Sequence, residues 1–78
     1  MTPPPAHPGT IVFVDADTGE ERTEPVASVP EPLRYAPDER GQLVPVVRVV
    51  AQVTGDTRRI HELGPEGQLL RTTVQLRS

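Results

Sequence analysis

The sequence predicts a small all-β domain, an antiparallel meander of five or six strands. From Thr10 onward, apolar residues recur with a period close to two, and strand-favouring residues are frequent. Turns that contain glycine interrupt this pattern at short intervals, and no stretch of the 78 residues has the apolar spacing of a helix. Such a meander either curls into a small open barrel or packs as a two-layer sandwich.

Before the first strand, residues 1–9 read MTPPPAHPG, with four prolines among nine residues. This composition offers little apolar surface and favours extended polyproline II. We therefore expect residues 1–9 to form a disordered Pro-rich tail and residues 10–78 to form a single antiparallel β-domain. A Pro-rich ligand for another protein is the alternative interpretation of the tail.

The first hairpin is predicted from residues 10 to 29. Thr10–Asp15 (TIVFVD) forms its first strand, and Asp17-Thr18-Gly19 suits a three-residue loop in which Gly19 takes a left-handed conformation. The chain returns as a strand over 20–29. Because Pro25 has no N–H to donate to a ladder, this second strand is expected at a sheet edge or with a bulge.

The most convincing strand is predicted over 42–53 (QLVPVVRVVAQV), which is apolar on both faces, as central strands often are. Before it, three prolines make the middle segment extended and irregular. After it, Gly55-Asp56 fits a two-residue type II′ turn. Strands over 57–63 and 68–77 follow, joined by a three-residue loop over 65–67.

These turn lengths predict which residues share a face of the sheet. They pair Ala51 with Ile60, Ile60 with Thr72 and Glu62 with Leu70. One apolar side of the sheet then carries Val47, Val49, Val53, Leu70, Val74 and Leu76. The opposite side then carries five basic residues, which we predict to bind a partner: Arg48, Arg59, His61, Arg71 and Arg77. Arginine mixed with apolar residues is typical of interface centres. The alternative is a solvated sheet face whose arginines only confer solubility.

No constellation in the sequence indicates catalysis, a metal or a cofactor. The run from Asp15 to Glu20 resembles the start of a calcium-binding EF-hand loop, but its glycine stands fifth rather than sixth, and Val26 occupies the position of the bidentate glutamate. His61-Glu62 lacks a second histidine at helical spacing. No nucleophile with a neighbouring base and no phosphate-binding glycine loop occurs, so we predict that the protein is not an enzyme and needs no cofactor.

The resulting functional prediction is a protein-interaction module: an adaptor, an inhibitor or a small assembly subunit. Its expected partner is an acidic or mixed-charge protein, or a second copy of the chain. A small nucleic-acid-binding β-barrel is the alternative, which a net charge of −3 and two aromatic residues disfavour. Short apolar runs and the absence of a signal-peptide pattern predict a cytoplasmic protein without a membrane partner.

Overall fold

The computed structural model describes residues 6–76, which contain seven β-strands and two 3₁₀ turns. The strands are β1 (Thr10–Asp15), β2 (Glu21–Pro25), β3 (Tyr35–Pro37), β4 (Leu43–Pro45), β5 (Arg48–Thr54), β6 (Thr57–Leu63) and β7 (Leu69–Leu76). The 3₁₀ turns are Val26–Ser28 and Glu31–Leu33. The predicted all-β class is confirmed for these residues. Five strands form one sheet in the order β2-β1-β5-β6-β7, while β3 and β4 form a separate hairpin.

The five-stranded sheet is mixed, so the prediction of a purely antiparallel meander is wrong. Strand β1 runs parallel to β5, with Val12 opposite Arg48 and Asp15 opposite Ala51. Parallel neighbours need a long crossover. The proline-rich segment between β2 and β5 supplies it through both 3₁₀ turns and the β3–β4 hairpin. Among residues 6–76, the sheet has two edge strands, β2 and β7, and does not close into a barrel.

The predicted central strand over 42–53 is divided into β4 and β5. Pro45 cannot donate a backbone hydrogen bond. The N–H groups of the two residues after it donate to two different parts of the fold. The Val46 N–H donates to the Arg34 carbonyl over 2.9 Å, whereas the Val47 N–H donates to the Leu63 carbonyl over 3.0 Å. The chain thus leaves the small hairpin at Val46 and enters the large sheet at Val47.

The core is small and lies at one end of the sheet. Among residues 6–76, the buried apolar side chains of the core are Ile11, Val29, Ala36 and Val46. Ile11 belongs to the sheet, and the other three come from the crossover segment that covers this end. The radius of gyration is 13.0 Å, against roughly 11–12 Å for a compact chain of this length. Val53, at the other end of the same face of the sheet, is 46% exposed, so the sheet extends beyond the segment that covers it.

Register assigns the side chains of the sheet to two faces. The inner face, on which Ile11 lies, comprises Ile11, Phe13, Asp15, Arg22, Glu24, Val49, Ala51, Val53, Arg58, Ile60, Glu62, Arg71, Thr73 and Gln75. The outer face comprises Val12, Val14, Glu21, Thr23, Arg48, Val50, Gln52, Thr57, Arg59, His61, Leu63, Thr72, Val74 and Leu76.

A β-bulge reverses the predicted faces of β7. The predicted loop over 65–67 is present, because the Gly64 N–H donates to the Gln68 carbonyl over 2.9 Å. Leu63 then lies opposite Leu69, but Glu62 lies opposite Arg71, so Leu70 is an extra residue. Every later residue of β7 is shifted by one position. The predicted pairing of Ile60 with Thr72 is wrong, since Ile60 faces Thr73.

Two residues ahead of β1 make contacts with the covered end of the sheet. His7 Nε2 lies 2.8 Å from the Val46 carbonyl oxygen, and the Gly9 N–H donates to His7 Nδ1 over 3.0 Å. The imidazole also meets the Tyr35 ring edge to face, with 5.8 Å between centroids. His7 therefore links the segment before β1 to the crossover.

Candidate protein-binding face

The outer face crosses all five strands of the sheet, and none of its side chains is buried. Arg48, Arg59 and His61 lie on it, as the sequence predicts. Their neighbours on the adjacent strands include the apolar Val50 and Val74. This part of the predicted site is brought together by the β5–β6 pairing, in which Ala51 faces Ile60 as predicted.

Arg48 stands at the beginning of β5 and is already partnered. Its Nη2 lies 2.6 Å from Glu21 Oε1 of the edge strand β2. Both side chains are about half exposed. Exposed ion pairs of this kind contribute roughly 0–1 kcal/mol, so another carboxylate can replace Glu21 at little cost.

Arg59 and His61 lie on the same face of β6. Arg59 is exposed between Gln52 on β5 and Val74 on β7, and no carboxylate of residues 6–76 forms an ion pair with it. His61 is half-buried, and its Nδ1 lies 3.1 Å from the Thr72 hydroxyl. The result is an uncompensated guanidinium beside an imidazole that a neighbouring strand holds in place.

Arg71 does not belong to this face. The bulge turns it to the inner face, where it forms two hydrogen bonds with Glu62: Nε to Oε2 over 2.5 Å and Nη2 to Oε1 over 2.7 Å. Glu62 is only 3% exposed, and a buried carboxylate requires such a partner. The hydrogen bond to Glu62 raises the pKa of Arg71. The predicted pairing of Glu62 with Leu70 is thus corrected to a buried ion pair.

Two apolar residues take the place that Arg71 vacates on the outer face. Val74 is 55% exposed and Leu76 is 81% exposed, although the sequence pattern assigns both to the core. A signal for the error was present in the sequence, because the predicted register leaves the inward-facing Glu62 opposite a leucine. A bulge that brings Arg71 to Glu62 resolves this conflict. Arg77, the last predicted binding residue, lies outside the described residues.

The inner face is also open at the end away from the covered core. Beyond the crossover, Phe13, Val49, Ala51 and Ile60 line a shallow groove of about 1130 Å³. All four side chains are half-buried, and Val53 at the far end is 46% exposed. The floor of this groove is apolar, and Arg58, which like Arg59 has no ion pair among residues 6–76, also lines it.

Residues 6–76 contain no group of three His, Cys, Asp or Glu side chains placed to hold a metal ion. The same residues include no helix with the length and apolar character needed to cross a bilayer. Comparisons with protein-family models, with curated proteins and with solved structures find nothing that matches this chain.

Proposed function

We propose that this protein is a non-enzymatic interaction module that binds an acidic segment of another protein through the outer face. Arg59 is the centre of the proposed site, with His61 and Arg48 beside it and Val74 and Leu76 supplying apolar contact. The observation that carries the proposal is the exposed Arg59 guanidinium, which has no carboxylate partner among residues 6–76.

The chemistry of this face suits carboxylates flanked by apolar side chains. A guanidinium presents a planar set of donors that can bind a carboxylate with two parallel hydrogen bonds. Arg59 can form them without first losing an internal ion pair. Val74 lies directly opposite Arg59 in the sheet, so an apolar side chain next to the bound carboxylate would lose its contact with water.

Nucleic-acid binding by the same face is less well supported. Phosphate binding requires several positive charges along one surface. Here the outer face carries two arginines among residues 6–76, Arg48 and Arg59, and the chain has a net charge of −3. The only phenylalanine lies on the inner face, where the guanidinium carbon of Arg22 lies 5.7 Å from its ring centroid, so it offers no stacking platform on the outer face.

Neighbouring arginines provide a matched test of the face. Arg58 and Arg59 are adjacent on β6 and point to opposite faces. Arg59→Glu and Arg58→Glu change the net charge equally, so long-range electrostatics affects both variants in the same way. We would select binders of the wild-type protein from a displayed library of random dodecapeptides. We would then measure the selected peptides against both variants by fluorescence anisotropy.

We expect the selected peptides to be rich in Asp or Glu next to Leu, Ile or Val. Arg59→Glu should weaken their binding at least tenfold, and Arg58→Glu should change it less than threefold. A fluorescent (dT)20 oligonucleotide serves as the nucleic-acid probe. Equal losses in both variants, selection of peptides without acidic residues, or tighter binding of the oligonucleotide than of any peptide would contradict the proposal.

A further inference from the structure

The five-stranded sheet ends in two edge strands, β2 and β7, whose outward backbone groups have no strand partner within residues 6–76. Backbone groups alternate in direction along a strand. The Ala16 N–H donates to the Ala51 carbonyl and the Val12 N–H to the Val47 carbonyl, so odd residues of β5 point toward β1. The backbone groups of the even-numbered residues of β5 therefore bond to β6. The same alternation continues to both edges of the sheet.

This alternation shows that the β2 edge is protected against further pairing. The Asp15 N–H donates to the Glu20 carbonyl, so the residues of β2 that point outward are Glu21, Thr23 and Pro25. Pro25 has no N–H to offer, and the strand is only five residues long, with three charged residues. Short length, charge and proline are the features that block edge-to-edge pairing.

The second half of the β7 edge has none of these features. Because the alternation continues across β6, the backbone N–H and C=O groups of Thr72, Val74 and Leu76 point outward from the β7 edge. The segment Thr72–Leu76 (TTVQL) contains no charge, proline or glycine. The beginning of β7 borders a small hollow shared with Asp38–Arg40 of the β3–β4 hairpin, so the free stretch is the second half of the strand.

We propose that this free edge pairs with the same edge of a second copy of the chain. Antiparallel pairing centred on Val74 sets Val74 opposite Val74 of the second copy and Thr72 opposite Leu76. The outward N–H of each Val74 would then donate to the carbonyl of Val74 in the other copy. The product is a continuous ten-stranded sheet related by a two-fold axis, which is the usual symmetry of a homodimer.

The composition of the edge selects a second copy over another partner. Thr72–Leu76 has no charge that could recognise a charged strand. A second copy of the same segment is an uncharged, strand-favouring partner for it. Self-pairing brings no like charges together over this stretch, and Arg71 is neutralised by Glu62. The proposal does not depend on the proposed function, because it rests on backbone groups at the edge.

Only five residues of each chain would pair, and such an interface is smaller than those of stable complexes. We therefore expect a weak dimer with a dissociation constant on the order of 10–100 µM. Because the two-fold axis is perpendicular to the sheet, both outer faces would lie on the same side. Dimerisation would place two copies of Arg59 and His61 on one continuous surface.

Proline substitutions at the two edges give a matched test. Val74→Pro removes an outward N–H from β7, and Thr23→Pro removes an outward N–H from β2. Neither change breaks a bond within the sheet, and Pro25 already occupies an equivalent outward position. Sedimentation velocity from about 5 to 500 µM should show the monomer converting to a dimer for the wild-type protein and for Thr23→Pro. We expect Val74→Pro to dimerise at least tenfold more weakly than the wild-type protein.

Amide hydrogen exchange of the wild-type protein tests the same edge if Val74→Pro fails to fold. The amides of Thr72, Val74 and Leu76 should exchange at least threefold more slowly at 500 µM than at 5 µM. The amide of Thr23 should exchange at the same rate at both concentrations. A wild-type protein that stays monomeric at 500 µM, a folded Val74→Pro variant that dimerises as tightly as the wild-type protein, or β7 amides indifferent to concentration would each overturn the proposal.

Discussion

The two ends of the inner face have the same alternating apolar pattern but opposite environments. At one end, Ile11 is fully buried beneath the crossover segment that carries Ala36 and Val46. At the other end, Val53 is 46% exposed, and Phe13 borders an open groove. The alternation of a strand determines which side chains share a face, whereas burial depends on what packs against that face. The covering segment here is irregular and proline-rich, so strand periodicity does not reveal its position.

The largest expected difference between the two ends concerns the buried ion pair. Arg71→Ala at the covered end should lower the free energy of unfolding by about 3 kcal/mol, because it leaves Glu62 buried without a counter-charge. The expected loss is at the lower end of the usual range because the Arg71 side chain is 38% exposed, and water can partly replace it. Chemical denaturation monitored by circular dichroism measures the change.

Two controls show whether burial of Glu62 is the cause. Arg58→Ala, at the open end of the same face, should change the free energy of unfolding by less than about 0.5 kcal/mol. The double variant Glu62→Leu/Arg71→Leu should recover most of the loss, since apolar residues of similar volume often replace a buried ion pair without penalty. If Arg71→Ala is as stable as the wild-type protein, the carboxylate does not need its arginine and the inferred role of the bulge is wrong.

Sequence reasoning succeeded where structure depends on local chemistry. Strands β1 and β6 begin and end at the predicted residues. Gly19 has a φ of +79°, as its left-handed position requires. Gly55 has a φ of +59° while Asp56 keeps a negative φ, which agrees with the type II′ turn and with the confirmed β5–β6 register.

It failed where structure depends on distant partners. The parallel pairing of β1 with β5 joins segments about 36 residues apart, and no turn signal encodes it. The bulge at Leu70 is a one-residue shift, and such a shift moves every later side chain of β7 to the other face. That shift removed Arg71 from the predicted binding face and added Val74 and Leu76, while Arg48, Arg59 and His61 kept their predicted positions.

A smaller difference between the ends is expected for valine side chains. Val46→Ala at the covered end should lower the free energy of unfolding by about 2 kcal/mol, because its side chain is fully buried and leaves a cavity. Val53→Ala at the open end removes the same atoms from a half-exposed position and should cost less than about 0.5 kcal/mol. Both values come from the same denaturation experiment. Comparable losses in the two variants would mean that something covers Val53 in solution.

The smallest expected effect tests whether the segment before β1 belongs to the covered end. His7→Ala removes the contacts of the imidazole with the Val46 carbonyl, the Gly9 N–H and the Tyr35 ring. Partly buried hydrogen bonds are worth about 1 kcal/mol, so the free energy of unfolding should fall by about that amount. His61→Ala on the outer face is the matched control and should cost less than about 0.5 kcal/mol, because its one described hydrogen bond, to Thr72, is exposed. If the two histidine variants are equally stable, the contacts of His7 add nothing to the fold, and the stabilising part of the covered end begins at β1.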